Sequence, residues 1–302
     1  MLVFVVGGTG FIGRHLVASL ADRGDECVVL SRRSTDPWRS PRVRLLAGDP
    51  TRPGDWQTAV AAADAVINLA GTRIVDPLHR WTDARKQLLT SSRVETTGNL
   101  VAAIRAASSP PSAFLSASAI GYYGARGASV VDESEPAGED FLATLSLAWE
   151  RAALEAEGPT RVTLLRTGLV LGRGGGVLDT LMPLFKAGLG GPWGSGRQWW
   201  SWIHLADEVR LVLYALDQGL GGPINLAAPN PVTVAQFAAA LGRALGRPAV
   251  LQAPGFALRL ALGEAANALL DLQRVVPRRA LEAGYRFRFP EIDGALSDIM
   301  GP

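Results

Sequence analysis

The start of the chain sets the tightest limit on what it can fold into: an unbroken apolar run, Leu2 to Val6, leads directly into Gly7-Gly8-Thr9-Gly10-Phe11-Ile12-Gly13. The run reads as a buried parallel strand. Behind the glycines, Ile12, Leu16 and Leu20 fall at helical spacing, and Arg23-Gly24 supplies a stop. Strand, glycine turn and helix in that order suit phosphate binding. A helix N-terminus offers unpaired N–H groups and the positive end of a dipole, and a missing Cβ lets a pyrophosphate reach them. On this reading Gly7 makes the turn, Gly10 admits the phosphate, and Gly13 lets helix and strand pack closely. The spacing is G-x-x-G-x-x-G, and strand-to-helix turns also use glycine for purely structural reasons, so the remainder of the chain must decide.

With 302 residues, 48% of them hydrophobic, there is material for one large α/β domain or two smaller ones. Lys and Arg number 30 against 28 Asp and Glu, and no basic run with interleaved aromatics occurs, so nucleic acid is not expected as a partner. Cys27 is the only cysteine, which excludes an internal disulfide or a cysteine metal cluster and suits a reducing cytoplasm. His15, His79 and His204 are far apart, and no metal site is expected. The first apolar run is too short for a signal-peptide core and no other stretch has membrane-span length without charges, so no membrane segment is expected.

A second strand, Glu26 to Leu30, ends in Ser31-Arg32-Arg33-Ser34, where a dinucleotide domain meets the adenosine ribose. NAD binders place an acid there to accept from the 2′-hydroxyl. Here Ser31 and Arg32 stand instead, and a guanidinium fork binds a phosphate that a carboxylate would repel, so the pair argues for NADP. The alternative is two solvated arginines in a loop. Val43 to Ala47 reads as a third strand, followed by Asp49, which reaches the adenine edge or caps the next helix. Ala65 to Gly71 is a fourth strand running into small residues that let backbone approach a cofactor. A long helix is expected from about Pro77 to Ala107, a fifth strand at Ala113 to Ser116, and a helix from Glu139 to Ala156. A sixth strand, Val162 to Leu165, ends in Arg166-Thr167-Gly168.

Residues 172–202, rich in Gly and Trp, read as loops and short strands forming one wall of a pocket. A helix to Asp217, a returning strand at Pro223 to Leu226, and amphipathic helices at Thr233 to Leu245 and Phe256 to Leu272 complete the chain. The expectation is a doubly wound parallel sheet, a Rossmann domain of residues 1–172 and 203–228, with a smaller interleaved C-terminal α+β domain of residues 173–202 and 229–302.

Several pieces together resemble the extended short-chain dehydrogenase/reductases of the sugar-nucleotide epimerase group: GGTGFIG at Gly7, GDP at Gly48, NLAG at Asn68, SASAIGYYG at Ser116 and WIHLADEV at Trp202. Ser31-Arg32, Ser92 to Thr97, Trp149-Glu150, Arg166 to Gly172 and the tail from Pro277 to Glu291 look like an atypical subfamily, the "epimerase family proteins". The resemblance implies an NADP-binding protein with a small C-terminal domain. Gly7, Thr9, Gly10, Phe11, Ile12 and Gly13 would cradle the pyrophosphate, and Ser31 with Arg32 would hold the 2′-phosphate. Leu69, Ala70 and Gly71 would line the cofactor through their backbone, joined by Thr167 and Gly168. Arg93 replaces the superfamily's usual Asn, and binds the cofactor's ribose or phosphates or pairs with a carboxylate on the long helix. Helices of this superfamily often pair subunits, so a homodimer is one open arrangement.

The same resemblance exposes a break. Such enzymes use a Tyr-x-x-x-Lys pair with a Ser upstream; Ser118 matches the Ser. The only tyrosines, however, are Tyr122, Tyr123, Tyr214 and Tyr285, and the only lysines Lys86 and Lys186. With Trp149-Glu150 as anchor, Leu142 and Ser146 occupy the expected Tyr and Lys positions. A phenol of pKa near 10 must come down by about 3 units to act as a base at pH 7, about 4 kcal/mol of differential stabilisation. Arg93, Arg126 or Arg173 are candidate replacement cations, and Tyr122 or Tyr123 the candidate acid, with packing as the other reading of the Tyr pair. Trp193, Trp199, Trp200 and Trp202 form either a stacking wall or filling between domains, while His204 and Asp207 are expected to brace a helix start. The function expected is an NADP(H)-dependent oxidoreductase or epimerase acting on a small hydroxyl or carbonyl compound, with Ser118 orienting the oxygen. The alternative is a non-catalytic NADP-binding regulatory or scaffold protein.

Overall fold

A computed structural model of the chain describes residues 1–32, 36–75, 79–271 and 273–301. The apolar runs become strands of one sheet: β1 (Leu2–Val6), β2 (Glu26–Ser31), β3 (Val43–Ala47), β4 (Ala65–Asn68), β5 (Ala113–Ala119), β6 (Arg161–Thr167) and β7 (Gly222–Leu226). Their order is β3-β2-β1-β4-β5-β6-β7, every neighbouring pair parallel. Winding reverses between β1 and β4, whose last residues Val6 and Asn68 lie side by side. A crevice at the carboxyl ends of strands follows from that reversal.

Eight helices matter for the site: α1 (Phe11–Asp22), α2 (Gln57–Ala61), α3 (Asp83–Ala106), α4 (Phe141–Leu154), α5 (Gly176–Lys186), α6 (Leu205–Asp217), α7 (Val234–Leu245) and α8 (Gly255–Leu262). Alternate strand residues feed two cores. Val3, Val5, Val29, Leu115 and Leu165 pack with Leu16 and Leu20 of α1 and Val212 of α6. Phe4, Val28, Val66, Phe114 and Leu164 pack with Val60 of α2, Leu100 and Ile104 of α3 and Ala153 of α4. Each such side chain contributes about 1.5–3 kcal/mol by leaving water, which explains why the strands carry apolar residues on both faces.

A third core joins Trp193, Trp200, Trp202, Phe185 and Phe237 to Ile292, Leu296 and Ile299 near the C-terminus. Trp200 stacks on Phe237 at 4.8 Å and meets Trp193 edge-on at 5.0 Å. These three tryptophans are filling; Trp199 alone is left half-buried, with the Arg274 guanidinium 4.2 Å over its ring. Two expectations need correction. Residues 172–202 contain a true helix, α5, because Leu178 and Phe185 are buried in the third core despite the glycines and Pro183. The helix foreseen from Phe256 to Leu272 breaks at Gly263, where φ is +61°, and its expected last residue lies outside the described residues. The long helix starts at Asp83, capped by Thr82, whose hydroxyl accepts from the Arg85 N–H; its expected start at Pro77 also lies outside the described residues. No described helix is long and apolar enough to cross a membrane.

Candidate functional site

The glycine loop is shaped by backbone meeting backbone. Gly7 has φ +79°, and a Cβ on it would stand 2.6 Å from the carbonyl carbon of Leu69 at the end of β4. A Cβ on Gly13 would fall on the Gly7 carbonyl oxygen and 2.7 Å from the Cα of Gly8. Gly10 caps α1 without any side-chain hydrogen bond, its own N–H donating to Gly7 O at 3.0 Å. The first-turn N–H groups of Phe11, Ile12 and Gly13 are therefore uncapped by side chains, behind half-buried Thr9 and exposed Gly10. That cradle fits a pyrophosphate. Leu69 continues the ladder to Val6 O at 2.8 Å, and Ala70 N–H donates to Asn68 Oδ1 at 3.1 Å, which fixes the small-residue segment beside the loop.

At the other end of the crevice, Ser31 is buried as the last residue of β2 and Arg32 is exposed next to it. The Asp49 carboxylate accepts from Thr51 N–H at 3.0 Å and Thr51 Oγ1 at 2.8 Å, and these bonds hold its pKa below the usual carboxylate value. Asp49 thus closes its own turn. The helix-capping reading is corrected, since α2 begins only at Gln57 with Trp56 in the cap position.

Arg93 is 7% exposed and pairs with no carboxylate among the described residues, which corrects that alternative. Its guanidinium donates to Leu89 O at 2.9 Å and Thr72 O at 2.8 Å and lies 5.1 Å from the Trp149 ring centre. Gly71 makes room for it: a Cβ there would come within 3.0 Å of the guanidinium.

Ser118, Tyr122 and Tyr123 do come together at the end of β5, Ser118 and Tyr123 in a buried polar chain and Tyr122 beside it. Ser118 Oγ donates to Glu150 Oε1 at 2.6 Å. Arg166 grips the same carboxylate with Nε and Nη2, 2.8 Å each, both residues being only 4% exposed. Arg166 Nη1 donates to the Tyr123 hydroxyl at 3.0 Å, which donates on to Asn225 Oδ1 at 2.6 Å, and Asn225 N–H donates to Glu133 Oε1 at 2.9 Å. Tyr123 is fully buried, and burial pushes its pKa up to about 12. As a proton donor it is corrected: it fills the core and ties β5 to β7. Tyr122 is half-buried, its ring face 3.5 Å from the Arg166 carbon and its edge against Tyr123 at 5.4 Å.

The replacement cations are also corrected. Arg126 donates to the carbonyls of Tyr123 and Pro136, Arg173 donates to the Ile299 carbonyl, and Arg93 lies over Trp149; the cation against the tyrosines is Arg166. Glu150 and Arg166 were visible in the sequence only as parts of motifs. Leu142 lies beside Gly121, whose Cβ would stand 3.2 Å from that of Leu142.

Beneath β6, the Thr167 hydroxyl donates to Glu208 at 3.0 Å, and Gly168 N–H donates to Leu226 O at 2.9 Å. Glu208 is completely buried, and desolvation pushes its pKa up to about 8. His204 Nδ1 accepts from Ala206 N–H at 3.0 Å, capping α6. The buried Asp207 carboxylate accepts from the Tyr285 hydroxyl at 3.0 Å, Arg288 N–H at 2.9 Å and Phe289 N–H at 2.8 Å, fastening the C-terminal segment to the sheet domain.

A doubly wound parallel sheet with an open, glycine-started helix at its reversal point defines a dinucleotide-binding protein of the Rossmann class. Residues 3–227 match the NAD dependent epimerase/dehydratase family, and the chain belongs to that family. Residues 253–299 match a domain of unknown function, DUF1731. Epimerase family protein SDR39U1 of Mus musculus is 40% identical over 303 residues, covering 99% of this chain and 100% of the relative. Epimerase family protein ML0860 of Mycobacterium leprae (strain TN) is 43% identical over 300 residues, covering 98% and 94%. The crystal structure of human epimerase family protein SDR39U1 (isoform 2) with NADPH is similar with a TM-score of 0.89 at 37% identity, covering 99% of both chains.

Proposed function

We propose that the chain binds NADP(H) and exchanges hydride with a small hydroxyl or carbonyl compound, with Tyr122 as the proton-carrying group. The cofactor half rests on the open cradle, on the acid-free corner at Ser31 and Arg32, and on the similarity to a human relative described with NADPH. The dinucleotide would supply the hydride. The N–H groups of Phe11, Ile12 and Gly13 would face its pyrophosphate and Arg32 its 2′-phosphate.

Tyr122 carries the proton assignment because its hydroxyl makes no hydrogen bond among the described residues, whereas that of Tyr123 is committed to Asn225. The Arg166 guanidinium lies face-on against the Tyr122 ring and fixes its position. Ser118, whose hydrogen goes to Glu150, keeps lone pairs that can accept from a substrate hydroxyl. Turnover of deuterium-labelled NADPH against panels of small carbonyl compounds and nucleotide sugars tests this. Tyr122→Phe should lower turnover by about 100-fold or more with NADPH affinity unchanged; equal turnover would remove the assignment.

A second reading is favoured by two observations. The Ser118 proton is held by an already paired carboxylate, and by the resemblance anchored on Trp149-Glu150 an aliphatic Leu142 stands at the expected tyrosine position. That reading, a non-catalytic NADP-binding regulator, predicts tight NADPH binding, no turnover on any panel member, and a protein partner.

A further inference from the structure

Two arginines on one face of α3 have no carboxylate partner among the described residues. Arg85, Leu89 and Arg93 are spaced four residues apart and so lie in a row along the helix. Arg85 donates from Nη2 to Arg73 O at 2.9 Å, and Arg93 donates to Thr72 O and Leu89 O, so their hydrogen bonds go to main-chain carbonyls. Neither forms an ion pair with a carboxylate among the described residues, and Arg85 Nε is buried without any partner. Of the five N–H donors on each guanidinium, two are used on Arg93 and one on Arg85. Burial, reinforced by the like charge of Arg85, pulls the Arg93 pKa down to about 10. Cations removed from water without a counter-charge are costly, and an anion bridging them would offset the cost and satisfy the spare donors.

The position narrows what the anion belongs to. The loop these arginines hold follows Leu69, Ala70 and Gly71, and Gly71 lacks a Cβ where the Arg93 guanidinium approaches. Leu89, between the two arginines, shares a cluster with Trp81 and Leu145 and with the partly buried Phe141 and Leu142 at the start of α4. The row therefore borders the start of α4, whose Leu142 lies beside Gly121, the residue before Tyr122.

We propose that Arg93, assisted by Arg85, binds the carboxylate or phosphate of a second ligand seated next to the dinucleotide, so that the substrate of this site is an acid. This rests on the reading above that a second ligand binds beside the cofactor, yet its test needs no turnover. Protein saturated with NADPH is titrated calorimetrically with inorganic phosphate and, separately, with acetate and succinate. Saturable binding of one probe class is expected, phosphate pointing to a phosphate ester and the organic acids to a carboxylic acid. Arg93→Met should weaken that binding at least tenfold and Arg85→Gln severalfold, with Arg93→Lys intermediate and NADPH affinity preserved in Arg85→Gln. Folding of the variants is checked by circular dichroism, and Arg85→Gln, at a half-buried position, keeps the test open where Arg93→Met does not fold. Absence of saturable binding to the wild-type chain, equal binding by the Arg85 and Arg93 variants, or probe binding that NADPH abolishes would each overturn the proposal, the last by showing that the cofactor's own phosphates fill the site.

Discussion

Replacing Glu208 by Gln should stabilise the protein at neutral and alkaline pH, and increasingly so as pH rises. Glu208 has no exposed surface, accepts from the Thr167 hydroxyl at 3.0 Å, and leaves Oε2 without a partner. Burial pushes its pKa from an ordinary 4.5 up to about 8. Between these values the folded chain keeps a proton that the unfolded chain has released, so the unfolded state binds fewer protons and stability falls as pH rises. At 1.36 kcal/mol per pH unit, the loss reaches about 3 kcal/mol at pH 7, and the change from pH 5 to pH 8 is on the order of 4 kcal/mol. Above pH 8 the folded carboxyl ionises as well and the loss levels off. Glutamine keeps the size and an acceptor for Thr167 but cannot ionise. Its amide inherits an unpartnered position, a pH-independent penalty of about 1–2 kcal/mol. The difference between variant and wild type, measured by urea unfolding followed through tryptophan fluorescence at pH 5, 6.5 and 8, should widen toward alkaline pH. Parallel curves would show that Glu208 ionises normally and that the account of its burial is wrong.

Gly13→Ala should abolish useful NADPH binding, because the new Cβ meets the Gly7 carbonyl and forces the turn open; a loss of about 2 kcal/mol or more, some 30-fold in affinity, is expected in a fluorescence titration. Arg32→Ala should weaken NADPH by about tenfold or more and leave NADH unaffected; equal effects on both would remove the 2′-phosphate assignment. Asp207→Ala deletes the acceptor of three hydrogen bonds from residues 285–289 and should cost about 3–5 kcal/mol. Limited proteolysis should then cut first within that segment.

The sheet was legible because strands buried on both faces need apolar residues at every position, and Leu2–Val6 or Ala113–Leu115 admit few other structures. Strand ends were less so. β5 continues past Ser116 to Ala119, through Ser118, and β6 through Arg166 and Thr167, where polar side chains interrupt the apolar pattern. Helix α5 was hidden because Gly174 to Gly176 and Pro183 read as loop, while what makes it a helix is the burial of Leu178 and Phe185 against tryptophans farther along the chain. The glycine cradle could be read from spacing, since the close approaches at Gly7 and Gly13 leave no room for a side chain. No spacing links Glu150 to Arg166 or Asp207 to Phe289. Those pairs exist only once α4 is packed beside β6 and the C-terminal segment is folded back on α6.

The Glu150–Arg166 pair also changes what this site can do compared with a tyrosine–lysine site. A lysine beside a catalytic phenol presents a net positive charge; here the nearest cation is bound through two nitrogens to a carboxylate, so the pair presents a dipole. Burying such a pair is seldom worth its desolvation for stability alone, but it holds a definite geometry. The carboxylate takes the Ser118 proton, the guanidinium edge takes the Tyr123 oxygen, and the guanidinium face takes the Tyr122 ring. One rigid unit thus orders three hydroxyl-bearing residues from two neighbouring segments and leaves a single phenol uncommitted among the described residues. On the function proposed above, proton movement begins at Tyr122 without a lysine-assisted relay, and that one hydroxyl is where the enzyme and the cofactor-binding regulator are told apart.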